Sequence, residues 1–221
     1  MNDPENLLDS LETREDLDFD APPPEAAAGK RPPINKDLGL PPNLRAVTRG
    51  KHAARDLTRE MEALDHLISL PREGETLHLI IQGNYSGFDL IVAMQKLLGH
   101  PISLTASTLS MNLDNAQRLI EMIDAGKVLH ANLILSELFA GKDCDLFAVV
   151  RDRLQARGQH IIASRTHAKV ACLATQHGQF FTLEGSGNLR SCVSIEQMTV
   201  TNSRELWEFH TEWMQHLLSR A

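Results

Sequence analysis

Residues 165–200 read RTHAKVACLATQHGQFFTLEGSGNLRSCVSIEQMTV. Two short runs, Lys169–Thr175 and Gln179–Glu184, flank the turn-forming residues Gln176-His177-Gly178, and together they predict a β-hairpin. A third strand is expected over Ser194–Thr201, with a helix through about Leu218 started by Asn202 and a Glu three residues on. Upstream the pattern alternates. Strands are expected at Leu77–Ile81, Ile102–Thr105, Val128–Leu135 and His160–Ser164. Helices are expected at Phe88–Leu98, from an Asn112 cap to about Asp124, and at Cys144–Gln155 with Gly158 as its stop. Leu57, Met61, Leu64 and Ile68 recur at helical spacing and predict one more helix over about 50–68. This alternation, ending in antiparallel pieces, predicts an α/β fold with a mixed sheet flanked by helices.

The chemistry-bearing residues sit at the open end of the hairpin. On an extended chain His167 and Lys169 share a face, about 6–7 Å apart along the strand. Ala168, Val170 and Cys172 then face the other way, an apolar set suited to a core. An imidazole beside an ammonium suits a phosphodiester: the ring attacks phosphorus or donates a proton, and the lysine neutralises the non-bridging oxygens. Gly185-Ser186-Gly187-Asn188 follows, with glycines that let a ligand approach the backbone and short polar side chains for phosphate oxygens. Each piece has a bland reading, as a strand-end histidine or a capped turn. Their joint occurrence across one hairpin favours a phosphate site.

HxK followed by GSxN, then by a strand bearing Glu196, resembles the phospholipase D-like superfamily, the HKD proteins. The match covers residues 165–200, and the preceding alternation from about residue 77 is compatible with the family fold. The resemblance implies that His167 is the nucleophile of a phosphohistidine intermediate. By the same resemblance Lys169, Ser186 and Asn188 hold the phosphate, and Glu196 orients the histidine. Family chemistry uses two histidines, one attacking and one protonating the leaving oxygen, and this chain has one HxK. It is therefore expected to act as a homodimer. No metal or other cofactor is implied. The family motif places an aspartate five residues after the lysine; here that residue is Ala174. The departure keeps open a catalytically inactive, nucleic-acid-binding or scaffold descendant beside a nuclease-like phosphodiesterase and a phospholipid hydrolase. Nucleic acid is the preferred partner, because small single-motif members of the family tend to resemble nucleases.

The rest of the 221 residues bound these readings. Residues 1–20 carry eight acids against one base, Arg14, so the whole formal net charge of −7 resides there and the remainder is neutral. Residues 1–45, acidic and then rich in Pro and Ala, are expected to form a disordered arm ahead of one domain over 46–221. The arm is read as a solvated tail, a docking segment for a protein partner, or a mimic of nucleic acid over the cleft. Cys144, Cys172 and Cys192 form no CxxC pair, which argues against a disulfide framework or a structural zinc site. The other histidines form no HExxH-like ligand pattern. No stretch has the ~18 apolar residues of a membrane span and the start has no secretory pattern, so no membrane insertion and a cytoplasmic location are expected. Arg165 and Arg190 flank the motif, while Trp207, Phe209 and Trp213 are read as packing or oligomer contacts.

Overall fold

The computed structural model describes residues 46–49, 52–57, 69–81, 86–190 and 194–220, the first two spans as backbone only. All of them fall in one compact unit, Pro42–Ala221. The arm expected over 1–45 lies outside the described residues, apart from which the chain forms an α/β structure on one mixed sheet.

Nine strands make up that sheet: β1 (Ala46–Arg49), β2 (His52–Leu57), β3 (Thr76–Ile81), β4 (Ile102–Thr108), β5 (Val128–Ser136), β6 (His160–Ser164), β7 (Val170–Thr175), β8 (Phe180–Gly185) and β9 (Glu196–Asn202). Their spatial order is β1-β2-β3-β9-β8-β7-β4-β5-β6. Strands β4, β5 and β6 run parallel, as β2 does to β3, while β7, β8 and β9 pair antiparallel with one another and with β4 and β3 on either side. The directions have one consequence for function. The C-terminal ends of β3, β4, β5, β6 and β8 and the N-terminal ends of β7 and β9 all lie along the same edge of the sheet.

Among the described residues five helices cover the two faces: α1 (Gly87–Leu98), α2 (Leu113–Asp124), α3 (Glu137–Lys142), α4 (Cys144–Gln155) and α5 (Arg204–Leu218). Phe88, Leu90, Ile91 and Met94 of α1 pack with Leu119 and Ile120 of α2 and Leu154 of α4 against Leu79, Leu104, Leu133 and Leu173 of the sheet. Burial of such side chains stabilises the fold by roughly 1.5–3 kcal/mol each. On the opposite face a smaller core joins Ile134, Val170 and Cys172 to Met214, with Trp207 and Trp213 of α5 packed on it. The alternation expected for β7 is thus observed, with Leu173 on one core and Cys172 on the other.

Three sequence expectations need correction. The helix over about 50–68 is not formed across its first part, where His52–Leu57 is a strand paired in parallel with β3. Of the apolar positions that suggested helix only Leu57 falls in this strand; the others lie at 61–68, outside the described residues. The last helix is capped by Ser203, whose hydroxyl accepts from Leu206 N, and not by Asn202. Asn202 is still in the sheet, its N–H bonded to Glu75 O at 3.1 Å and its side chain to Pro71 O at 3.0 Å. Finally, β4 runs three residues beyond the expected Thr105, which brings Ser107 and Thr108 to the shared edge.

Candidate phosphate site at the open end of the β7–β8 hairpin

His167 and Lys169 lie in the segment that leads into β7. Gly185 N donates to Lys169 O at 3.3 Å, which extends the β7–β8 pairing one step past the last ladder residues. The glycine-rich turn therefore begins directly beside the lysine. Gly185 is needed there: a Cβ would run into the carbonyl oxygen of Gln197 and lie 2.8 Å from Met198 Cα. Gly187 is similarly close-packed, its N–H directed at Met198 Sδ at 3.3 Å.

The HxK pair folds back on itself. Lys169 Nζ lies 3.4 Å from both His167 Nδ1 and the His167 carbonyl oxygen, with the imidazole exposed. A lysine ammonium only donates, so this contact is a hydrogen bond only in the tautomer that leaves Nδ1 without a proton. Across the turn, Ser186 N donates to Gln197 O at 2.9 Å, and Gln197 N donates to Ser186 Oγ at 3.0 Å. The Ser186 hydroxyl itself donates to the Glu196 carboxylate. Glu196 thus stands at the start of β9, tied to the serine, and no hydrogen bond joins it to His167 among the described residues.

Asn188 is buried, unlike Ser186. Its Oδ1 lies 3.4 Å from Thr108 Oγ1, and its carbonyl oxygen accepts from Gly87 N at 2.8 Å at the start of α1. Thr108 Oγ1 also accepts from Leu189 N at 3.1 Å. Leu189 O in turn accepts from Asn115 Nδ2 at 3.0 Å, and the same amide nitrogen reaches Ser86 Oγ at 3.0 Å. Ser86 and Asp89 form a reciprocal capping box for α1. Asp89 is buried and its second oxygen takes Arg118 Nη1 at 2.6 Å. The turn is therefore held by a hydrogen-bonded cluster drawn from α1, α2 and β4. A shallow recess, open to solvent, lies among Gly87, Thr108, Lys169 and Gly187.

The structure thus brings His167 and Lys169 together and sets Ser186, Asn188 and Glu196 across the adjoining turn, all on one edge of the sheet. Ala174 is not there. It pairs with Ser103 and Phe180 near the far end of the hairpin, roughly 16 Å along the strand from Lys169. His177 lies farther still, its ring 4.3 Å from that of His100. The hydroxyls of Ser107, Thr108 and Thr166 and the amide of Asn115 were not found by motif reading. The one sequence signal for Ser107 and Thr108 is a stretch rich in hydroxyl residues, Thr105 to Ser110, passing the C-terminal end of a strand, where open α/β sheets place their ligands.

No family model matches the sequence, and no curated protein matches it. Among solved structures the fold is similar to that of Nuc, a phospholipase D family member from Salmonella typhimurium, at 16% identity and a TM-score of 0.44 over 64% of this chain and 93% of that one. It is similar also to polyphosphate kinase from Porphyromonas gingivalis, at 15% identity and a TM-score of 0.44 over 66% of this chain. The chain spans only 26% of that kinase. Among the described residues no helix is long and apolar enough to cross a membrane.

Proposed function

We propose that the chain is a phosphodiesterase of the phospholipase D-like type that cleaves nucleic acid through a phosphohistidine intermediate, as a homodimer. The observation that carries the reading is the meeting of the two motif halves: Gly185 N on Lys169 O sets the GSGN turn beside the HxK pair. In the first step a phosphate diester displaces Lys169 Nζ from Nδ1 and draws it onto the non-bridging oxygens. Nδ1 is then able to carry the ring proton, and the Nε2 lone pair attacks phosphorus. The N–P bond forms, the P–O bond to the leaving group breaks, and the leaving oxygen takes a proton from His167 of a second copy. Water then attacks phosphorus, gives its proton to that second imidazole, and the P–N bond breaks. Ser186 and Asn188 supply the polar groups facing the phosphate. Glu196, hydrogen-bonded to Ser186, fixes the serine and with it the turn.

The exposure of His167 at the open edge of the sheet supports pairing with a second copy, and Arg165 and Arg190 on either side of the motif support a polyanionic substrate. A phospholipid is the second reading, favoured by Leu113, Leu138 and Ile195, which are 52%, 72% and 43% exposed and follow or precede strand ends on the same edge. The test is cleavage in EDTA of single- and double-stranded DNA, RNA, phosphatidylcholine vesicles and bis(p-nitrophenyl) phosphate by wild type and His167→Ala. Cleavage lost in the variant, with a trapped phosphohistidine in the wild type, supports the reading. A folded wild type that binds DNA but forms no adduct turns it into a non-catalytic nucleic-acid module.

A further inference from the structure

We infer that Ser107 and Thr108, the last two residues of β4, are a paired positioning device that sets the two motif halves against each other. The inference rests on the proposed phosphate site. Consecutive strand residues point to opposite faces: Ser107 bonds the segment that leads through His167 into β7, and Thr108 bonds the turn that follows β8. Ser107 Oγ lies 3.0 Å from Thr166 Oγ1, and Ser107 pairs with Val170 in the β4–β7 ladder. Thr166 Oγ1 accepts from Ala168 N at 3.2 Å. This closes a hydroxyl-capped turn whose middle residue is His167, so the peptide groups on both sides of the imidazole are fixed. Thr108 Oγ1 accepts from Leu189 N and lies within reach of Asn188 Oδ1 and, at 3.2 Å, of Ser110 O. It thereby fixes the turn that carries Ser186 and Asn188.

Both hydroxyls are buried, Ser107 and Thr108 being 1% exposed each. They are adjacent in the chain, so the separation of the two halves is set by a single residue step at the end of a strand flanked on both sides. Ser107 and Thr166 act on the attacking group, Thr108 on the phosphate-holding turn. All three are positioning residues that act through the imidazole or the turn.

The distinction is testable by steady-state kinetics of the full chain on bis(p-nitrophenyl) phosphate in EDTA. Thr166→Val removes the hydroxyl at nearly constant shape and is expected to lower kcat about 10- to 100-fold with KM little changed, a scale typical of misplacement by about 1 Å. Thr108→Val is expected to act chiefly by raising KM about tenfold. Thr166→Ser and Thr108→Ser, which keep the hydroxyl, restore wild-type values to within about threefold. Both valine variants lose a hydrogen-bonded hydroxyl and lower the unfolding midpoint, so stability does not separate the roles; the kcat-against-KM split does. Equal signatures from both, wild-type kinetics in both, or no rescue by serine overturns the inference.

Should the wild type not cleave, the functional reading fails, and the pairing is judged by amide exchange alone. Thr166→Val then has to speed exchange at Ala168 without changing Leu189, and Thr108→Val the reverse. Exchange altered at both sites by either variant, or at neither, overturns it.

Discussion

The β7–β8 hairpin is built differently at its two ends. At the closed end the chain reverses over Gln176-His177-Gly178, with Gly178 N on Thr175 O and Thr175 N on Gln179 O, both at 3.1 Å, and Gly178 at φ 76°. The hydrogen bonds that close this turn all join residues within four of each other. At the open end the strands are joined by one bond beyond the ladder, Gly185 N to Lys169 O, and the partners that fix the flanking segments come from elsewhere. Ser107 is 59 residues from Thr166, Thr108 is 81 from Leu189, and Asn115 is 74 from Leu189. One end is held by local backbone geometry, the other by side chains of three distant elements. The polar groups that could serve chemistry are concentrated at the second.

The largest effect is expected where distant support for the open end is removed. Asp89→Ala takes away the capping box of α1 and leaves Arg118, 29% exposed, without its buried partner. A loss of roughly 3 kcal/mol in urea unfolding is expected, with DNA binding weakened as the turn at Asn188 loosens. A loss below about 1 kcal/mol would mean that the open end does not depend on this cluster. Next comes Gly185→Ala, whose Cβ forces β8 from β9 at Gln197 and Met198. A cost of about 2–3 kcal/mol is expected, together with weaker binding of inorganic phosphate in a calorimetric titration.

Gly178→Ala at the closed end should cost only about 1–2 kcal/mol, for the positive φ alone, since no atom stands within 4 Å of the added carbon. Phosphate binding is expected to be unchanged. If it weakens as much as in Gly185→Ala, the two ends are coupled through the strands and the contrast between them is broken.

The smallest effect concerns Cys172, midway along the hairpin. Burial pushes its thiol up to about 12, partly offset by the nearby Thr182 side chain, with the Glu184 charge adding to the rise. The folded protein therefore keeps this proton while the unfolded chain loses it above its ordinary value near 9. The contribution to stability is whole below that value and declines as pH rises from about 9 towards 12. At pH 8 a thiol reagent is expected to label exposed Cys144 in the native protein and to reach Cys172 only in urea. Labelling of native Cys172 would show that the hairpin opens from its site end.

The same contrast decides how much the sequence reveals. The closed turn, the cap at Asn112 and the alternation of Leu173 with Cys172 are short-range patterns, and the sequence shows them; the cap of the last helix is read one residue early, at Asn202 for Ser203. His167 with Lys169 and Ser186 with Asn188 are legible for the same reason, because their spacing is local. Ser107, Thr108, Thr166 and Asn115 are ordinary hydroxyl and amide residues whose partners depend on which strands become neighbours. The place of β4 beside β7 is fixed by the whole sheet order and by no local signal. Ala174 departs from the motif far from His167, Lys169 and the GSGN turn, which only the register of β7 makes apparent.

The pairing of β3 with β9 carries a consequence for the making of this protein. Thr76 meets Thr201, Oγ1 to Oγ1 at 3.0 Å, across 125 residues of chain. On a ribosome the apolar run TLHLII emerges long before the strand that will cover its edge has been synthesised. At ordinary elongation rates that edge waits roughly 5–25 s. For this interval an unpaired, uncharged strand is open to other nascent chains, so yield in a cell is expected to respond to holdase chaperones and to slower growth more than the stability of the finished sheet would suggest.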